Sequence, residues 1–386
     1  MSDKSNIINY FELNDLAQFK KKISSSTFKP IKTNEPIFDN LTTDKKSNFG
    51  GVYRQSLNII MSMQGIGKTT FCQQIAESLA SQGIDVLFYN FEMSKEQLIA
   101  KDVCRIMNRK EFEYKSAIRK DNNKVMYDFI NPQEVLTYNY IIDSERLSRK
   151  QIDDAIESYQ VINHHLKYIT LQEKESGKFN NELSALIDEI ESTANALERQ
   201  GKQAPGVFID YLQLLDSNMN DVKESIKSSV LRLKQYAVKH NTFVFVISAV
   251  NRDASDSGKI KTTSGRDSSN IEYTGDTIIT LNYKSVELLK DKDEIEKQIQ
   301  VEKKEVCSRM TIHLLKNRFG EQNHGEFFFY QQGGFFTDWE QRGDTDIISS
   351  VIASRVEDEL KNVKAEFQSA FRTWGDKRYV KKSKIE

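Results

Sequence analysis

The nine residues SMQGIGKTT at 62–70 constrain the fold of this chain more than any other segment. They follow an apolar run at 56–61, lead into a helical pattern at 69–82 closed by Gly83, and are succeeded at once by a second apolar run at 85–91. Strand, glycine-containing turn, helix and strand at this separation make a βαβ unit, whose parallel strands need helices on both sheet faces. The class expected is therefore α/β. The turn keeps the spacing G-x-x-x-x-G-K-[ST], except that Ser62 stands in place of the first glycine. A small residue at 62 lets the chain turn out of the strand. Gly65 and Gly67, with Ile66 between them, let backbone N–H groups converge on a phosphate, Lys68 adds a positive charge, and Thr69 followed by Thr70 opens the helix. The hydroxyl of Thr69 is the expected first ligand of a magnesium ion, and the strand and helix that flank the loop set it apart from a chance Gly-Ile-Gly-Lys-Thr turn.

Two carboxylates belong with this loop. Val207-Phe208-Ile209 is an apolar strand that ends in Asp210, at the C-terminal edge where parallel sheets bind ligands. Asp210 is the expected second magnesium group, the alternative being a helix N-cap. Glu92 ends the 85–91 strand beside the loop and is placed to polarise an attacking water; the alternative is a cap for the helix that starts near Ser94.

Composition narrows the class further. Charged residues make up 29% of the 386, yet the formal net charge is -1, so contact with nucleic acid must come from a local patch rather than a global basic field. The three cysteines, Cys72, Cys104 and Cys307, lack metal-ligand spacing and suit a reducing compartment. No apolar stretch approaches the roughly 20 residues of a membrane helix, and the polar start MSDKSN is no signal peptide, so no membrane contact and a cytoplasmic protein are expected.

Along the chain, 1–48 reads as an amphipathic helical arm (8–23) with a polar, aperiodic linker, and 49–340 as one α/β domain. Within that domain, 111–200 reads as a helical, partly looped excursion with few strands. Strands are expected at 206–215, 242–248, 276–283, 310–316 and 325–330, a helix at 222–240, and a helix or long hairpin at 290–304. From 341 to 386 an amphipathic helix and a basic tail follow.

Taken in order, these segments resemble the ATPase domain of the DnaB-type replicative helicases. Phe91-Glu92-Met93-Ser94 is similar to that family's glutamate motif, and Ile209-Asp210-Tyr211-Leu212-Gln213-Leu214 to its Walker B signature. Ser248-Ala249-Val250-Asn251-Arg252, the stretch from Arg266 to Glu272, and Lys316-Asn317-Arg318 resemble later motifs. The resemblance implies a RecA-like P-loop fold with a mostly parallel central sheet, and ATP and Mg2+ as cofactors. It also implies Glu92 as catalytic base and Arg318 as an arginine finger reaching a neighbouring subunit, with Lys316 beside it.

The further implications are a homo-oligomer of hexameric type, single-stranded DNA held by Arg252, Arg266 and Ser269 in a central loop, and a primase or loader as partner. Three departures stand out, the first being an excursion at 111–200 larger and more polar than expected between the glutamate strand and Walker B. Ala249 occupies the place of a glutamine that would sense the γ-phosphate. In addition, only ~50 residues precede the ATPase core, too few for the family's helical collar, which points to a compact form of the kind phages or mobile elements encode. A non-unwinding RecA-like ATPase and a P-loop phosphotransferase remain the alternatives.

Overall fold

The computed structural model describes residues 29–43, 49–120, 149–170, 183–212, 222–250, 272–287, 289, 291–305, 307–331 and 333–338. The expected arm helix at 8–23, the central loop with Arg252, Arg266 and Ser269, and the C-terminal helix and tail lie outside them. The chain divides into two compact units: residues up to 109 with 136–338, and 110–135 with 339–386. Everything below concerns the first.

In chain order its elements are α1 (Pro36–Thr42), β1 (Ser56–Ser62), α2 (Lys68–Ser81), β2 (Val86–Asn90) and α3 (Lys95–Lys120, whose end enters the second unit), then α4 (Arg149–His165), β3 (Leu166–Thr170), α5 (Leu183–Arg199), β4 (Gly206–Asp210), α6 (Val222–Lys239) and β5 (Phe243–Ala249). After these come β6 (Thr277–Tyr283), α7 (Lys292–Glu302), β7 (Cys307–Asn317), β8 (Asn323–Tyr330) and β9 (Phe335–Asp338). The described strands form one nine-stranded sheet in the order β3-β2-β4-β5-β1-β6-β7-β8-β9. Strands β1 to β6 pair in parallel, and β7, β8 and β9 continue the sheet antiparallel from β6.

Strand alternation sorts the core into two layers. Leu57, Ile59 and Met61 of β1, with Val207 and Ile209 of β4 and Val244 and Val246 of β5, face α5 and α6. Ile60, Phe88, Phe208 and Phe245 face the other way, toward Phe71, Ile75 and Leu79 of α2 and toward Ile37, Phe38 and Leu41 of α1. Helix α5 docks through Leu183, Leu186, Ile187, Ile190 and Ala194, a stripe at helical spacing. Across the sheet Phe208 stacks on Phe88 at 5.5 Å and on Phe245 at 4.6 Å, with the rings nearly parallel at 3° and 4°.

Four sequence expectations change or narrow. The excursion at 111–200 contributes a strand to the sheet: Leu166–Thr170 pairs in register with β2 as an edge strand, and its short run LKYIT offers too little alternation to stand out between two helices. The segment read as an aperiodic linker holds α1 against the core. There Asp39 accepts from Thr33 and Asn34 backbone N–H at 3.0 Å each, and Gln74 donates to Glu35 at 2.7 Å. The charged segment 290–304 is a helix, α7, capped by Asp291, which accepts from Glu294 N–H at 3.1 Å. The 206–215 run leaves the sheet at Asp210. Among the described residues no helix is long and apolar enough to cross a membrane.

Candidate nucleotide site

Strands β1, β2 and β4 run parallel and end together, so Ser62, Asn90 and Asp210 arrive at one edge of the sheet. The loop after β1 turns through Gly65 at φ 76° and Gly67 at φ 88°, left-handed conformations open to glycine. At Gly67 a Cβ would also come within 2.7 Å of the Phe329 ring, which stacks on Phe336 behind the loop. Helix α2 starts at Lys68 without a side-chain cap, leaving its first N–H groups to the loop's concave side. That is the geometry of an anion cradle.

Lys68 folds back over this loop, its Nζ donating to the carbonyls of Ser62 and Met63 at 2.9 Å each. Burial lowers its ammonium to about 8, against the pull of Asp210 and Glu92. Thr69 Oγ1 donates to Asp210 Oδ2 at 2.6 Å. Burial raises the Asp210 carboxyl to about 6, opposed by that hydrogen bond, while the charge of Glu92 raises it further. A hydroxyl and a carboxylate in contact beside a phosphate cradle are hard oxygen donors that fit Mg2+.

The expected set comes together at this corner: Ser62, Gly65, Ile66, Gly67, Lys68, Thr69 and Thr70 on the loop and α2, Asp210 at the end of β4, and Glu92 just past β2. The helix after Glu92 is capped without it: Ser94 and Gln97 hold each other in a reciprocal box at 3.0 and 3.3 Å. Glu92 is exposed, and its carboxylate makes no hydrogen bond among the described residues. Sequence reading passed over Asn90. Its Nδ2 donates to Asp210 Oδ2 at 2.9 Å, and its Oδ1 accepts from the N–H groups of Glu92 and Met93 at 2.9 and 2.7 Å, so one side chain fixes both carboxylate-bearing turns. The signal was there, a lone amide closing the apolar run VLFYN.

Lys316 and Arg318 are elsewhere. Strand β7 runs antiparallel to β6 and ends where β6 and β1 begin, opposite Thr277. There Arg318 Nη1 donates to Asp276 Oδ1 at 3.2 Å and Nη2 to the Tyr273 carbonyl at 2.5 Å. Lys316 Nζ donates to the carbonyls of Glu272 and Tyr273. Asp276 is also the anchor for β1, accepting from Leu57 N–H at 2.7 Å and from Lys234 at 2.6 Å. Phe319 stacks on Tyr53, just ahead of β1, at 4.2 Å. From Leu57 to Ser62 is five strand residues, roughly 17 Å of sheet between the arginine and the loop of its own chain.

With this geometry established, known proteins give it a family. The model of the DnaB-like helicase C terminal domain matches residues 42–172 and 133–338, two overlapping segments that cover most of the chain. Among curated proteins there is no match. Two solved structures share the fold. One is a DnaB-like replicative helicase described with its interactions with primase: TM-score 0.59, 17% identity, covering 84% of this chain and 66% of that one, just under two thirds. The other is a solved ATPase domain: TM-score 0.59, 18% identity, covering 84% of this chain and 97% of that domain. The sheet order, the loop at 62–69 and the family match agree, and the chain belongs to the DnaB-like helicase C-terminal domain family.

Proposed function

We propose that this chain is an ATP-dependent DNA helicase of the replicative kind that hydrolyses ATP with Mg2+ and works as an oligomeric ring, hexameric in form, on single-stranded DNA. In this reading the loop residues 62–70 bind the nucleotide's phosphates, Lys68 neutralises them, and Thr69 and Asp210 hold Mg2+. Glu92 is the base that takes the proton of the attacking water, and its exposure beside Asp210 leaves it open to that water. When bound, the metal supplies charge stabilisation for the transferring phosphoryl group.

The observation that carries the oligomer is the position of Arg318. It sits at the start of β1 and β6, the opposite sheet edge from the loop, with 48% of its side chain exposed. An arginine there cannot serve its own nucleotide; projecting from one subunit toward the next, it can serve a neighbour's, with Lys316 beside it. DNA contact is proposed through Arg252, Arg266 and Ser269, in a segment that also carries Lys259 and Lys261; family membership and these cations support that reading. A primase or loader as partner is proposed by analogy with the helicase whose primase interactions are known.

The test measures ATP hydrolysis with and without single-stranded DNA, unwinding of a forked duplex, and oligomeric mass under each condition. DNA-stimulated hydrolysis by an oligomer that opens the fork is the expected result; DNA-indifferent hydrolysis by a monomer overturns it. A non-unwinding RecA-like ATPase is the second reading. It is favoured by Ala249, which ends β5 in register with Ser62 and offers no amide to sense the γ-phosphate. Stimulated hydrolysis without unwinding selects it.

A further inference from the structure

The segment between β6 and β7 returns to the nucleotide corner, because β7 begins beside the end of β6. Helix α7 brings with it Lys303, its C-cap residue, whose backbone N–H bonds to Ile299 at 3.0 Å. The Lys303 side chain lies on the phosphate loop. A Cβ added at Gly65 would stand 2.7 Å from Lys303 Cε and 2.8 Å from its Nζ. Between the two runs an open cleft of about 650 Å³, lined by Met63 and Gln64 of the loop and by Asp293, Glu296, Lys297, Gln300 and Lys303 of the α7 segment.

Lys303 is half-buried, and among the described residues its ammonium makes no hydrogen bond and no ion pair. The neighbouring cation sharpens the point. Lys68 Nζ rests on the Ser62 and Met63 carbonyls of the same loop. Two ammonium groups on one loop, whose N–H groups converge, form an arrangement completed by an anion.

We propose that Lys303 is a second cation, supplied by the same chain, for the phosphate tail of the bound nucleotide. The inference rests on the reading of 62–70 as a nucleotide site and adds a residue from outside its motifs. It also gives Gly65 a second reason to be glycine, since any side chain there would push the lysine away.

The test is equilibrium binding of a fluorescent, non-hydrolysable ATP analogue and of its ADP counterpart, with Mg2+, to the full chain. Wild type, Lys303→Ala, Lys303→Arg and Lys68→Ala are compared. Lys303→Ala is expected to bind on the order of 10-fold more weakly, as for a lost charge-assisted hydrogen bond. Its affinity should also depend less steeply on salt, since one fewer cation meets the phosphates. Lys303→Arg should recover most of the loss. The thermal midpoint without nucleotide should match wild type, which separates a binding role from a merely structural one. Wild-type affinity in Lys303→Ala overturns the proposal, and so does tighter binding, which would make the ammonium an obstruction. Failure of wild type itself to bind either nucleotide removes the underlying site, and that is seen before any variant is compared.

Discussion

The two ends of strand β1 use polar side chains in opposite ways. At its C-terminal end Thr69, Asp210 and Asn90 bond to one another within one chain, and Lys68 rests on loop carbonyls. At its N-terminal end Asp276 ties β1 and α6 together while Arg318, bonded to it on one side, reaches solvent on the other. A closed network of short contacts marks a site that one chain assembles alone. On the proposed reading, a guanidinium braced by a buried carboxylate and turned outward is one half of a contact with a neighbouring subunit. The largest test breaks this contrast directly. Arg318→Ala should lower steady-state ATP hydrolysis by about 10³–10⁵-fold, as for a lost arginine finger. Mixing it with inactive Lys68→Ala should restore part of the activity, because a mixed oligomer pairs an intact loop with an intact neighbouring arginine. Undiminished hydrolysis by Arg318→Ala would make the arginine an ordinary surface residue, and a loss without recovery on mixing would overturn its action on a neighbour.

The same contrast holds for packing. Phe208 lies at the sheet's centre between Phe88 and Phe245, while Phe319 stacks on Tyr53 at the margin and is half-buried. Phe208→Ala should cost about 3–5 kcal/mol in denaturant unfolding, the range for emptying a buried aromatic site. Phe319→Ala should cost about 1 kcal/mol, the worth of a half-buried ring pair. Equal losses would mean that the margin is as integral to the core as the centre.

What could be read in the sequence follows the same division. The loop, β1, α2, β2 and the end of β4 were legible because motif, period and order coincide over about thirty residues and again at Asp210. The packing of α1 was not, because Thr33, Glu35 and Asp39 look like linker residues until the core provides Gln74 and Ser78 as partners. Nor was β3, whose five residues acquire meaning only from pairing with β2. The role proposed for Arg318 comes from family resemblance, but its bracing by Asp276 links residues 42 apart and depends on β6 and β7 being antiparallel. Lys303 is legible in no motif at all, since only the return of α7 to the loop gives it a neighbour.

Asn90 sharpens the picture of the closed corner. Removing its amide leaves Asp210 with Thr69 alone and frees the N–H groups of Glu92 and Met93, both of which now bond to Asn90 Oδ1. Asn90→Ala should weaken Mg2+-dependent nucleotide binding by about 10–100-fold, the usual effect of deleting a residue that orients a metal ligand. Binding without Mg2+ should change much less. If both fall equally, Asn90 supports the loop as a whole and not the carboxylate.

The smallest effect belongs to the antiparallel margin, where charges pair at the surface. Glu287 is partly desolvated, which raises its carboxyl, but His313 at 2.7 Å and Lys284 at 3.0 Å outweigh that and hold it at about 2. A carboxylate with a depressed value in the folded state contributes stability that is fully present above its unfolded value, about 4.5, and is lost as pH falls toward 2. Because the group is partly exposed and screened, the contribution is about 1 kcal/mol. The difference in unfolding midpoint between wild type and Glu287→Gln should therefore narrow steadily from pH 5 downward. A difference independent of pH would mean that Glu287 acts there through shape and not charge. In that case the margin, like the nucleotide corner, would be held by its hydrogen-bond geometry.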